Sequence, residues 1–330
     1  MRFAFSDEQI ALRDAVRDLL TKECPPAAVR AAWGNDSGRC PRAWAALTDM
    51  GVLGVAAPER TGGLGLGEVD LVLLLEETGR FALPEPIVET AAVAVPMLAA
   101  LDDERTAELV NGSSASLVHA LAPHAVWADT SAYIVVLGSA QWSALPPGKV
   151  DLFPVQSVDG ARRLFALDLV ASMPWATVQA EDHAQVDLAF DRAALGTAAQ
   201  LAGLADRMIE MTVDYATTRH QFGVPIGSFQ AVKHHLANAR LALEFARPLV
   251  YRAAWTNATN DADRSVAVSL AKASASDAAL LAARVALQCH GAIGYTTEYD
   301  LHLFMKRAWA LAAAWGDAAW HRALVGRAIL

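Results

Sequence analysis

Hydrophobic residues along this chain change period twice, and the two changes divide it into three parts. Near the N-terminus, Leu12, Val16, Leu19 and Leu20 recur at helical spacing behind Ser6 and Gln9, which stand in the order of a capping box. This predicts a first helix that Pro25 and Pro26 stop. A second helix is predicted after Pro41, with Trp44, Leu47 and Met50 on one face. Residues 51–67 read as a loop, and helical patterns return over Val69–Gly79 and Val88–Leu101. From Ser113 onward, short runs rich in β-branched and aromatic residues take over: Tyr133–Leu137, Val150–Val155, Arg163–Leu169 and Val186–Phe190. Turn signals such as Pro146, Pro147 and Gly148 separate them, and together they predict a small antiparallel β domain. Beyond Arg192 the helical period resumes. Leu201, Leu204, Met208, Met211 and Tyr215 mark one helix; Val232, Leu236, Leu243 and Val250 mark the next, with a kink expected at Pro248. A third is expected to run to His290 and stop at Gly291, and a fourth to cover the chain from near Tyr299.

The expected architecture is therefore mainly α with an inserted β domain. It has an N-terminal helical domain over residues 1–112, a reduced β domain over 113–192 and a C-terminal antiparallel four-helix bundle over 193–330. The glycines of 62–67 lack the spacing of a phosphate-binding loop and read as a turn.

Composition narrows the function classes. With 54% hydrophobic and 19% charged residues, the chain is neither disordered nor a coiled-coil filament. A net charge of −9 without any basic run argues against nucleic acid as a partner. The longest apolar run, Ala91–Leu101, contains Pro96 and is about half of the ~20 residues a membrane span needs. Cys24, Cys40 and Cys289 are far apart in sequence and show no metal-ligand spacing, so no metal and a reducing, cytoplasmic setting are expected. His234 and His235 lie about 100° apart on one helix and do not converge on a metal.

Two longer motifs carry chemistry. Tyr215–Gln230 reads YATTRHQFGVPIGSFQ, and Gln288–Tyr299 reads QCHGAIGYTTEY. Both strongly resemble the acyl-CoA dehydrogenase superfamily, at the bundle's first turn and at the junction of its third and fourth helices. The N-terminal region around Pro58, Glu59, Gly62–Gly65 and Glu76–Arg80 is similar to that family's helical domain. The resemblance implies an FAD-dependent α,β-dehydrogenation of a CoA thioester, with electrons passing to an electron-transfer flavoprotein. It implies that Arg219, Gln221, Phe222, Gln230, Gln288, Gly291 and Ala292 face the adenine and diphosphate half of a flavin held by the neighbouring subunit. The chemistry suits that role: Arg219 offers a permanent charge and a fork of donors, the glutamines neutral donors, Phe222 an apolar face and Gly291 close backbone approach. Ala292 stands where most relatives have a second glycine.

Other features of the family are missing. Trp315 stands at the position of the usual glutamate base, and an indole cannot abstract a proton. On a continuous helix, Asp317 would point about 200° away from Trp315. Asp191, beside Arg192, is a candidate base, although an ion pair or interdomain turn also explains it. Segments that hold the flavin ring in relatives are not found between Gly112 and Asp191, where residues 120–129 read ALAPHAVWAD. The pattern resembles the smaller, base-less subunit of heteromeric, steroid-CoA type actinobacterial acyl-CoA dehydrogenases. It implies a second acyl-CoA dehydrogenase subunit that carries the base. The alternatives are a self-sufficient homo-oligomer using an acid such as Asp191, and a scaffold subunit that binds no flavin.

Overall fold

The computed structural model describes residues 4–139, 141–168, 178–181 and 183–330. The N-terminal part is helical: α1 (Asp7–Glu23), α2 (Pro26–Gly34), α3 (Pro41–Asp49) and α4 (Glu68–Arg80), then a π-helical turn (Val88–Ala94) that runs into α5 (Val95–Ala99), then α6 (Arg105–Val110). The capping box at α1 is formed as expected, with Ser6 Oγ accepting from Gln9 N–H and Gln9 Oε1 accepting from Ser6 N–H. The helix α2 was not legible in sequence. Pro26, read as a stop, instead occupies the first position of α2, where its missing N–H costs nothing and its fixed φ suits the helix.

Seven strands follow among the described residues: β1 (Ala115–Val118), β2 (Ala125–Val126), β3 (Tyr133–Leu137), β4 (Gln141–Leu145), β5 (Asp151–Val155), β6 (Leu164–Asp168) and β7 (Val178–Glu181). They form a four-stranded sheet ordered β1-β3-β4-β7 and a three-stranded sheet ordered β2-β6-β5. Val118, Ala125, Ile134, Val136 and Phe165 share a small core of their own. The expected all-antiparallel pairing needs correction, because β1 runs parallel to β3, with Ala115 opposite Tyr133. The run Val186–Phe190 also needs correction. It lies inside the 36-residue helix α7 (His183–Thr218). Its apolar residues alternate over five positions, but Val186, Ala189, Ala193 and Ala194 repeat at the helical period, and the longer pattern prevails.

The bundle consists of α7, α8 (Gln230–Ala258, with Pro248 inside), α9 (Arg264–His290), and a fourth element broken into α10 (Leu301–Ala313) and α11 (Ala318–Ile329). A 32-residue stretch that includes α9 is apolar and long enough to cross a membrane, and 67% of its most apolar window is buried inside the protein. The α10–α11 break replaces the continuous helix expected there. Trp315 and Gly316 both adopt left-handed backbone (φ 57° and 86°), and Asp317 caps α11 by accepting Trp320 N–H at 2.8 Å. Lys272 of α9 holds the break closed. Its ammonium, fully buried, donates to Ala312 O at 3.1 Å, Gly316 O at 3.0 Å and Ser276 Oγ at 3.2 Å. His321 Nε2–H donates to Trp315 O at 2.9 Å, which leaves Nδ1 to accept from Ser269 Oγ at 3.0 Å.

The N-terminal domain sits on the bundle through a crossing of α4 and α7 in which two backbones touch. A Cβ on Gly203 would lie 1.9 Å from Glu76 O, and one on Gly79 would lie 2.1 Å from Gln200 O. Gly203→Ala is therefore expected to separate the helices and destabilise the protein by about 3 kcal/mol, read as a lower denaturation midpoint; an unchanged midpoint would show that the crossing yields. Lys272 generates a pH prediction. Burial, only partly opposed by Asp317, pulls its pKa down to about 7. Between pH 7 and the ordinary lysine value the unfolded chain binds the extra proton, so stability should rise with pH across that window. Lys272→Met should lower stability overall and flatten this rise, measured by denaturant midpoints at pH 7 and pH 9.5.

Candidate functional site

In an antiparallel bundle the C-terminal ends of α7 and α9 share one end with the start of α8, and both sequence motifs fall there. After Thr218 the chain makes a two-stranded hairpin, β8 (His220–Gln221) and β9 (Val224–Pro225), with Gln221 opposite Val224. Its base is closed by Arg219 N–H donating to Tyr215 O at 2.8 Å and Ile226 N–H donating to Arg219 O at 2.8 Å. The two tip residues, Phe222 and Gly223, both have positive φ (54° and 79°). A two-residue hairpin loop of this hand matches strand twist, and its first position ordinarily takes asparagine, aspartate or glycine. A phenylalanine there is strained. It is also 92% exposed, with the edge of Phe229 beside it at 6.2 Å between centroids.

The second motif closes α9. Gly291 adopts φ 65° and ψ −142°, with open space where a Cβ would be, and it opens a 3₁₀ turn (Gly291–Tyr295) in which Ala292 is the second residue. His290 joins the two motifs. Its ring stacks on Tyr215 at 4.3 Å and tilts against Tyr299 at 4.8 Å. His290 Nδ1–H donates to Ala286 O at 2.8 Å, and its buried Nε2 has no partner among the described residues. Burial holds its pKa below the usual histidine value, which keeps the ring neutral.

Arg219, Gln221, Phe222, Gln230, Gln288, Gly291 and Ala292 are all solvent-exposed. Gln230 opens α8 and Gln288 lies in the last turn of α9. Among the described residues, the Arg219 side chain makes no hydrogen bond or ion pair to another side chain. The donor set therefore fits an anionic, partly aromatic ligand: an uncommitted guanidinium, three exposed amides, an exposed ring and an open glycine corner. His220 is exposed as well, and its Nδ1 lies 3.0 Å from Thr218 O.

The other sequence candidates lie apart from this end. Asp191 is buried in α7, where Arg264 Nε donates to it at 2.8 Å and Ser265 Oγ–H at 2.8 Å. Burial raises its carboxyl pKa, against the lowering influence of those two partners. It ties α7 to the first turn of α9, while Arg192 pairs with Glu68 instead. Trp315 is only 3% exposed and packs in a ring cluster with His119 (6.2 Å, stacked) and Phe190 (6.1 Å). Trp320 extends that cluster at 5.5 Å from Phe190. Asp317, as the cap of α11, is committed to backbone. Beside α10, a cavity of about 310 Å³ is lined by residues of 121–124, 156–158 and 309–314. Sequence reasoning missed the strain at Phe222 and the stack of His290 on Tyr215. The adjacency of Phe222 to Gly223 between short β-prone residues was the signal for the first; nothing in the sequence places Tyr215 against His290.

Comparison with known proteins agrees with this arrangement. The model of the acyl-CoA dehydrogenase N-terminal domain matches residues 6–110, and that of the acyl-CoA dehydrogenase C-terminal domain matches residues 183–330. Acyl-CoA dehydrogenase IpdE2 of Mycobacterium tuberculosis is 33% identical over 92% of this chain and 91% of its own length. Acyl-CoA dehydrogenase FadE34 of the same organism is also 33% identical over 92% of this chain, which spans 45% of that longer protein. Among solved structures, the ChsE4-ChsE5 complex from Mycobacterium tuberculosis superposes with a TM-score of 0.87 at 22% identity, over 99% of this chain and 98% of that one. Two domain models and a relative of matching length thus agree with the helix–sheet–bundle order, and the chain belongs to the acyl-CoA dehydrogenase family of oxidoreductases.

Proposed function

We propose that this chain is the base-less subunit of a heteromeric, FAD-dependent acyl-CoA dehydrogenase, and that it completes a flavin site held mainly by its partner. The observation that carries the reading is Phe222, an aromatic ring held out at 92% exposure on a strained hairpin tip. Such a ring gains nothing in the isolated chain, whereas it gains the free energy of burial once a second surface covers it. Arg219 would pair with a diphosphate, Gln221, Gln230 and Gln288 would donate neutral hydrogen bonds, and Gly291 with Ala292 would let the ligand approach the backbone. FAD, when bound, supplies the acceptor for the hydride that leaves the β carbon of the thioester. The proton on the α carbon must go to a base, and in this reading the partner provides it: Trp315 cannot, and Asp191 is engaged by Arg264 and Ser265.

The finer reading of the substrate is a bulky CoA thioester such as one derived from a steroid side chain, with reduced flavin passing its electrons to an electron-transfer flavoprotein. Likeness to a structure described as a steroid acyl-CoA dehydrogenase variant (TM-score 0.87, 23% identity) supports the fold side of that reading. A soluble assembly in the cytoplasm is the setting it requires.

The test is the visible spectrum of the chain purified alone and after co-expression with a base-bearing acyl-CoA dehydrogenase subunit. A colourless chain and a yellow complex with fewer flavins than chains are expected. In that complex, Arg219→Ala should weaken flavin retention roughly 10- to 100-fold, the loss expected for a charge-assisted hydrogen bond. One flavin per chain in the isolated protein would return Asp191 as the candidate base. A complex whose flavin content ignores Arg219→Ala would leave only the scaffold role.

A further inference from the structure

The cavity beside α10 lies between the β domain and one face of that helix. Trp309, Ala310 and Ala313 share the face, Ala314 follows at its end, and the three alanines keep this floor low. Opposite stand two loops with pinned backbones. Residues 121–124 are held by a pair of backbone bonds between His119 and Ala122 (3.1 and 2.8 Å) and run into β2. Residues 156–158 follow β5, and Ser157 Oγ accepts from Asp159 N–H at 3.2 Å. The volume of about 310 Å³ is at the lower end for ligand cavities, so it suits one small molecule rather than a dinucleotide. None of the residues proposed to face a flavin lines it.

The polar groups of this cavity are chiefly donors. No aspartate or glutamate is found among its described lining residues, although the whole chain has a net charge of −9. Arg162 supplies the positive charge. Its backbone N–H donates to Asp159 O at 3.0 Å, but its half-buried guanidinium makes no hydrogen bond or ion pair among the described residues. Two acids act on it from a distance. Asp159 is committed to Arg307 Nε at 2.8 Å and to Ala161 N–H at 3.1 Å. Glu89, in the π-helical turn, is buried, and burial raises its pKa and so weakens its charge. Burial also pulls the Arg162 pKa below the ordinary arginine value, against Glu89 and Asp159, but a guanidinium keeps its proton. Near Arg162 on the cavity wall, the Ser157 hydroxyl keeps its hydrogen to donate, and the half-buried Trp309 offers an indole face.

We propose that this cavity binds a small organic monocarboxylate with a flat apolar body. The carboxylate pairs with the fork of Arg162, and the body lies against Trp309 and the alanine floor. A single guanidinium balances a single negative charge, which favours a carboxylate over a phosphate dianion. Leu121, Pro123 and Leu164 on the remaining wall favour a hydrocarbon body over a sugar, whose hydroxyls they would leave unpaired.

The experiment is equilibrium dialysis of the full chain against 2-naphthoate, with 2-naphthylmethanol as its uncharged counterpart. Saturable binding of naphthoate at one site per chain is expected, at least about tenfold tighter than the alcohol, the margin of a charge-assisted hydrogen bond. Arg162→Met should erase that margin and leave the alcohol unchanged. Ala313→Leu, which raises the floor, should weaken both ligands, and Arg219→Ala should weaken neither. Equal affinity for acid and alcohol, or a margin that survives Arg162→Met, would overturn the anion site. Absence of saturable binding, or its loss on Arg219→Ala, would overturn the cavity as the place. Should Arg162→Met fail to fold, Ala313→Leu decides, and naphthoate affinity unmoved by it would equally overturn the proposal.

Discussion

The crossing of α4 and α7 is the contact on which the rest of the molecule is arranged. Gly79 and Gly203 remove the two Cβ atoms that would otherwise hold these helices apart, and the backbones meet directly. Around that contact the polar groups are matched in detail. Gln200 Nε2 donates to Thr78 Oγ1 at 3.1 Å, Arg17 pairs with Glu77, and Arg80 spans Asp206 and Glu210. Glu76 and Glu77 are the buried acids of this set, and Glu76 is the one that reaches α8. Burial pushes its pKa up, while Arg247 at 2.8 Å and the Tyr251 hydroxyl at 2.7 Å hold the charge in place. A buried pair of this kind adds little net stability over an apolar contact, but losing one partner is costly, so the ring fixes one rotation of α4 on the bundle.

Fixing α7 at its middle also fixes where its far end points. The stack of Tyr215 on His290 transmits that placement from α7 to the end of α9, so hairpin and glycine corner form one surface rather than two loops. The neutral state of His290 matters here. A charged ring with an unpartnered buried Nε2 would be expelled to solvent, and the stack would go with it.

Much of this was legible in the sequence, for a physical reason. The helices of the bundle repeat their apolar residues over many turns, and Gly291 ends α9 as the pattern says. The two motifs were legible because each is contiguous, so local chain geometry carries most of its meaning. What the sequence hid depends on contacts far along the chain. Pro26 reads equally as a helix stop or a helix start, and only the packing of α2 decides. The run Val186–Phe190 fits either period over five residues. The left-handed turn at Trp315 and Gly316 depends on Lys272 and His321, and the first of these lies more than forty residues away, within an alanine-rich helix that gives no sign of it.

The two aromatic residues at the centre of the functional argument are treated in opposite ways. Trp315 is enclosed by His119 and Phe190 at the position where the family resemblance puts a base, and its carbonyl is held by a neutral His321, whose pKa burial depresses to about 4. Phe222 is exposed at a backbone angle that a phenylalanine adopts at a cost of about 1 kcal/mol or more. Leaving such a ring in water rather than burying it forgoes a further ~1.5–3 kcal/mol. Both terms act against the isolated chain, and glycine at the tip would relieve the first at once. Their persistence beside an uncommitted arginine fits the proposed surface completed from outside, while the rings of His119 and Phe190 pack around Trp315.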